Sequence, residues 1–280
     1  MEWLVFILLT LLALALFWRL PGVSAALRWA FFAFLAITVL GAWQWNKEWA
    51  AKFKAHQVFH EKLPSEGGAH GYVSSDTCHS CHPDQYESWH ASYHRTMTQY
   101  VEKKNVMAEF EKVSLSYYGR PVEIEWDNGE LWATMDDPKW LYATPIETLK
   151  TSSHPPLSTR KRLGLMTGSH HMQVYWMSSG HGNSQDIFPL CYLKEEQRWV
   201  PFKDTFLRDP AMSHYDQKWN GNCIACHVTV GQPRPVSPLA TKTKSAELGI
   251  ACEACHGPGE RHVKMNKNPA RRYKLHQSKE

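Results

Sequence analysis

Two apolar runs open the chain. The first extends from Trp3 to Trp18 with Thr10 as its one polar residue, and the second extends from Trp29 to Trp45 with Thr38 and Gln44 inside it. Each is close to the lower limit of about 17 residues for a membrane-spanning helix. Between them, the segment Arg19 to Arg28 carries a Pro21-Gly22 turn signal, and each arginine sits where it can reach lipid headgroups. Trp3, Trp18, Trp29, Trp43, Trp45 and Trp49 mark the run ends as an aromatic belt does. The pattern predicts a two-helix transmembrane hairpin over residues 1–46, with helices at about 3–18 and 29–45. A cleaved signal peptide before a single helix is the alternative, with Val23-Ser24-Ala25 as its cleavage site. Met1-Glu2 supplies no basic leader for it.

Beyond the anchor the pattern turns polar. Residues 47–70 read as a charged helical extension and a linker ending near Gly67-Gly68. His56 and His60 stand one helical turn apart there, on what reads as a solvated face. Pro83 can begin a helix, and Asp84 to Tyr100 keeps helical spacing through Tyr86, His90, Tyr93, His94 and Met97. Val113–Tyr117 and Val122–Trp126 alternate, and Asp127-Asn128-Gly129 turns the chain into Leu131-Trp132-Ala133, which predicts a hairpin. A second hairpin is expected to pair His171–Met177 with Ile187–Leu193. Residues 228–245, with Pro233, Pro235 and Pro238, read as an irregular loop. Residues 264–280 form a basic tail with Lys264, Lys267, Arg271, Arg272 and Lys274.

The 280 residues allow one domain plus an anchor, and a net charge of +4 is too mild to imply nucleic acid. The cysteines say more. Six of the seven fall into three copies of one pattern: Cys78-His79-Ser80-Cys81-His82, Cys223-Ile224-Ala225-Cys226-His227 and Cys252-Glu253-Ala254-Cys255-His256. This is C-x-x-C-H, the attachment motif for c-type haem, and chance would supply about 0.01 copies in such a chain. Two thiols reach the two vinyl groups of one porphyrin edge, and the next residue turns its imidazole onto the iron. Zinc ribbons, redox pairs and disulfides do not require a histidine after every second cysteine. Three covalent haem c groups are therefore expected on Cys78, Cys81, Cys223, Cys226, Cys252 and Cys255, with His82, His227 and His256 as proximal iron ligands. Cys191 stands alone and reads as a buried apolar residue. Haem attachment occurs outside the cytoplasm. The hairpin satisfies this by placing both termini outside and the Arg19–Arg28 loop inside, although Lys47, Lys52 and Lys54 pull against the charge rule. Neither apolar run offers a histidine for a haem at membrane depth.

Distal ligands are harder to assign. In a continuous helix His94 would lie roughly 18 Å beyond His82, so it could serve only a different haem. Met97 is a weaker candidate, and His90 reads as a packing residue. In an extended Gly168-Ser169-His170-His171-Met172, only one of His170 and His171 can face a given haem. His170 is preferred, because Met172 and Val174 share its parity, and His171 is the weaker choice. His262 follows the Gly257-Pro258-Gly259 turn and could reach a neighbouring haem. His154, His181 and His214 are reserves.

These residues resemble a multihaem cytochrome c family that includes the tetrahaem electron carrier of ammonia-oxidising bacteria and larger bacterial cytochromes with helical repeats. The resemblance rests on Cys78 to Pro83 with Trp89, Ser92, His94 and Met97, on Trp219 to His227, on Cys252 to Gly259 with His262, and on Gly168 to Gln173. It implies tightly stacked haems, mostly bis-histidine, with His94 as a ligand. The chain departs from it in having three attachment motifs, no helical repeats and an added anchor. The expectation is an α+β protein. A two-helix transmembrane hairpin precedes a haem-packed multihaem domain, residues 71–263, built of short helices and small β-hairpins. It would sit in a bacterial cytoplasmic membrane, with the domain on the periplasmic side. There it would pass electrons between a membrane donor and another redox protein, as part of a larger complex and with no catalytic residues. The alternative is a reductase of small nitrogen or oxygen species at one open-coordinate haem.

Overall fold

The computed structural model describes residues 18–19, 21–67, 69–152, 157–205 and 217–278. It divides into two units, residues 1–60 and 61–280. In the first, helix α1 (Ala25–His60) runs unbroken for 36 residues, about 54 Å at 1.5 Å per residue. Ser24 starts it: its hydroxyl accepts from the Leu27 amide at 3.3 Å and its carbonyl from Arg28 at 3.1 Å. The apolar part has a mean hydropathy of 1.8 and is not buried by protein. The charged part continues the same helix, with Lys47 Nζ 3.6 Å above the Trp43 ring and Trp49 stacked on Phe53.

The expected two-helix hairpin is corrected here. Among the described residues one helix is long and apolar enough to cross a membrane. The Ser24 cap starts it four residues before Trp29, and it continues through the charged extension as far as His60. Apart from Trp18, the Trp3–Trp18 run lies outside the described residues, as do His154 and His214.

The second unit corrects the expectation of small separate hairpins. Its centre is one eight-stranded antiparallel sheet. The strands are β1 (Thr98–Tyr100), β2 (Lys112–Tyr117), β3 (Arg120–Asp127), β4 (Glu130–Asp136), β5 (Ser158–Thr167), β6 (Met172–Ser178), β7 (Gln185–Leu193) and β8 (Arg198–Pro201). Strands β2 to β8 pair in sequence order, and β1 adds to β5. The tight turns are written in the sequence. Asn128 and Gly129 both take positive φ, 52° and 79°, as a type I′ turn between β3 and β4 requires. The joining element is β5, which pairs with β4, β6 and β1 and merges the two expected hairpins. The sheet curls until its ends nearly meet: Phe110 lies edge-on to Trp199 at 6.1 Å, and the Tyr118 hydroxyl donates to Asp204.

The curl creates two apolar layers. Inside it pack Ile124, Leu131, Met166, Tyr175, Met177 and Phe188, with α4 (Pro138–Ala143) and α5 (Ile146–Thr151) contributing Leu141 and Leu149. The alternate residues of β5 to β7, among them Leu165, Trp176, Ile187 and Cys191, pack outward against Trp219, Ile224, Val228 and Leu248. Strand β6 is therefore buried on both faces from Gln173 to Met177, which explains why it reads as a continuous apolar run. The outward layer ties the sheet to the segment that carries the second cysteine motif.

Candidate functional site

Each cysteine motif closes a single helical turn. The turns are α2 (Ser75–His79), ending inside the first motif, α6 (Ile224–His227) and α7 (Cys252–His256). The His82 amide donates to the Cys78 carbonyl, and the His227 amide to the Cys223 carbonyl, both at 2.9 Å. Residues three and four apart share a helix face, so both thiols and the following imidazole gather on one side of the turn. None of the seven cysteines is in a disulfide. Cys78, Cys223 and Cys252 are half-buried, Cys81, Cys226 and Cys255 are exposed, and Cys191 is buried under the sheet.

Pro83 starts α3 (Pro83–His90) immediately after His82. The expected continuous helix to Tyr100 is corrected: α3 stops at His90, whose carbonyl accepts from Arg95 Nε at 2.8 Å. Residues 98–100 then leave as a strand against β5, so the helical spacing that separated His94 from His82 does not exist. The His94 carbonyl accepts from the Ile250 amide at 2.9 Å. Gly249 presses on the same bend, with φ +72°, and a Cβ there would lie 2.2 Å from the Arg95 carbonyl oxygen. Only glycine fits.

The first and third motifs are stitched together. Glu253, which is 4% exposed, accepts both from the Val73 amide, at 3.0 and 2.9 Å to its two oxygens, and from the Gly259 amide at 2.6 Å. Glu247 accepts from the Ser75 amide and hydroxyl at 3.0 and 2.9 Å. Trp89 Nε1 donates to the Ile250 carbonyl at 2.8 Å. The stitching brings the Cys78 and Cys252 thiols together. Burial first, then the neighbouring Cys252 thiol, push the Cys78 pKa up to about 11.

This packing leaves two connected spaces. A cavity of about 420 Å³ is bordered by Cys78, His82, Cys252, His256 and His262. A wider one of about 810 Å³ is bordered by Cys78, Cys81, His82 and His262, with Lys267 and Arg272 at its rim. His262, on α8 (Glu260–Asn266), faces His82 with ring centroids 6.1 Å apart. An imidazole nitrogen binds a transition metal at about 2 Å, so this gap leaves room for one metal atom between the rings. The thiol–imidazole turns, the sulfurs outside any disulfide and the flanking cavities all fit haem c.

The second motif lies on the other side. Trp219 is fully buried, and the Asn220 side chain accepts from the Gln185 amide at 2.7 Å and donates to Thr243 Oγ1 at 2.8 Å. Burial pulls the His227 pKa down, partly opposed by the Met97 carbonyl, and its Nδ1 has no hydrogen-bond partner. Met97 itself is half-buried, and its carbonyl accepts from Gly168 at 2.9 Å.

His170 and His171 correct the strand-parity expectation. Both lie in the turn before β6, and their rings are 3.9 Å apart, with His170 also stacked on Tyr93 at 4.3 Å. His181 sits exposed in the β6–β7 connection. Sequence reasoning missed Glu253, Glu247 and Ser75. An acidic residue inside Cys252–His256 was the one available signal.

Two stretches of the chain, residues 77–119 and 195–257, match the family model for cytochrome c554 and c-prime. Together they contain all three motifs, and most of the sheet lies between them. No curated protein matches. Among solved structures, the outer cell wall cytochrome OcwA is similar at 18% identity with a TM-score of 0.43. The alignment covers 70% of this chain and 34% of that one, so the chain spans about a third of its length. The family match supports a c-type cytochrome, which implies covalently bound haem.

Proposed function

We propose that the chain is a membrane-anchored electron carrier with three haem c groups. The first is held by Cys78, Cys81 and His82, the second by Cys223, Cys226 and His227, and the third by Cys252, Cys255 and His256. His262 is the distal ligand of the first haem. Its ring stands across from His82 at a separation suited to one iron, and this observation carries the reading. His94, His170, His171 and Met97 are the candidate distal ligands for the other two. Bound haem supplies a one-electron couple between ferric and ferrous iron.

The chain's own residues hold and insulate that couple. Glu253 and Glu247 lock the first motif against the third. Trp219 and the Asn220 network fix the second motif to the sheet. α1 anchors residues 61–280 to a bacterial cytoplasmic membrane on the extracytoplasmic side, where haem is attached. Electrons enter from a membrane donor and leave to another redox protein, with the chain acting as a subunit of a larger complex.

Haem quantification together with electron paramagnetic resonance of the purified protein tests this. Three haems per chain and six-coordinate low-spin irons are expected. A high-spin iron that binds nitric oxide would replace the carrier with a reductase of small nitrogen species.

A further inference from the structure

We propose that α8 together with α9 (Pro269–Ser278) is the docking surface for an acidic electron-transfer protein, at the cysteine-bearing edge of the first haem. The proposal rests on the haem assignment above for its location. The two helices expose Arg261, Lys264, Lys267, Arg271, Arg272 and Lys274. Among the described residues of the two helices the one acid is Glu260, ion-paired with Lys264. The sheet surface is different, because its cations are matched by acids: Lys112 with Glu123, Arg160 with Glu125 and Asp127, and Arg162 with Glu130. A concentrated single-sign field on one face steers a partner of opposite sign and sets its orientation.

The chemistry of attachment places this field. Thioether bonds form at the vinyl edge of a porphyrin, and the propionates leave from the opposite edge. Cys81 is exposed, and Arg272 Nη1 lies 3.8 Å from its sulfur. Arg272 and Lys267, at the rim of the wider cavity, therefore stand on the side where the cysteines would hold the vinyl edge. A protein bound on α9 would sit directly against that edge, where a single electron passes between the two proteins without any bond being made or broken. An acidic protein fits better than an anionic bilayer. The α9 sequence, Pro-Ala-Arg-Arg-Tyr-Lys-Leu-His-Gln-Ser, lacks the broad apolar face that an interfacial helix buries in lipid.

The test uses the full-length haem-loaded protein in mild detergent. A fluorescent deca-glutamate peptide is the probe, and anisotropy is read at low and high salt. Wild type should bind at low salt and release the peptide as salt rises. The triple variant Arg271→Glu, Arg272→Glu, Lys274→Glu should weaken binding about tenfold or more. A control of equal charge change at the exposed Lys104, Lys139 and Lys242, each to Glu, should bind within about twofold of wild type. Should the tail variant fold poorly, the corresponding Gln triple gives the same ranking with a smaller effect. Equal weakening by both triples would reduce the effect to net charge and overturn the proposal. So would binding to phosphatidylglycerol vesicles in preference to the peptide. Haem content, measured on the same samples, separates a failed haem assignment from a failed docking surface.

Discussion

The curled sheet and the cysteine segments solve the same problem of burial by different means. In the sheet, polypeptide covers polypeptide. Tyr175, Trp176 and Met177 lie consecutively on β6, and each is at most 2% exposed. The cysteine segments contain short helical turns, exposed imidazoles at His82 and His256 and open cavities around His82 and His262. The first and third motifs are joined mainly by hydrogen bonds to Glu253 and Glu247, while the second leans on the sheet through Trp219 and Ile224. The difference teaches that the sheet can carry its own stability, while the cysteine segments are shaped around a cofactor that completes their core.

Removing attachment should separate the two regions most sharply. Cys78→Ser with Cys81→Ser should lower the haem content by one of three and leave the strand signal in far-ultraviolet circular dichroism unchanged. A collapse of that signal would show that the sheet depends on haem. The reverse experiment cuts the sheet's core. Trp176→Ala should cost about 3–5 kcal/mol in chemical denaturation, while the surviving folded protein keeps all three haems.

The bend that joins the regions gives an intermediate effect. Gly249→Ala forces a side chain towards the Arg95 carbonyl at positive φ, and about 1–3 kcal/mol should be lost. The loss should appear together with a changed spectrum of the haem at Cys252 and Cys255, because the displaced segment, Gly249 to Ala251, leads directly into that motif.

The smallest effect is one of pH. Burial raises the Glu247 carboxyl above its ordinary 4.5, against the hydrogen bonds from Ser75 that lower it. A carboxyl raised in the folded state contributes stability that is fully present below the unfolded value and is lost as pH rises through the folded one. The melting temperature should therefore decline as pH rises just above 4.5, and Glu247→Gln should flatten that decline. An unchanged profile would show that the hydrogen bonds cancel the effect of burial, and a rising one that they outweigh it.

The attachment motifs were legible in the sequence because their chemistry is local: two thiols and an imidazole within five positions. The β3–β4 turn was legible for a similar reason, since Asn128-Gly129 dictates its own geometry. Strand β5 was not. Its first half, Ser158 to Arg162, is polar, and its apolar half is interrupted by Gly164, near which the pairing with β6 slips register. Without β5 the two hairpins could not be joined. The helix expected through Tyr100 failed because Thr98–Tyr100 gains pairing partners on β5 that helical spacing does not reveal. Among the described residues the N-terminal pattern departs from a hairpin at Ser24, whose capping hydroxyl begins one long helix. Glu253 looked like a spacer between two cysteines, and its role depends on Val73, 180 positions away.

That last separation bears on how the protein is made. A chain is synthesised amino end first, so Cys78 to His82 exists before Glu253 has been made. The first motif must then wait in an open, half-formed cradle, and the carboxylate latch on Val73 shuts only once the final segment arrives. Maturation would proceed in order along the polypeptide, with closure of the latch as its last event.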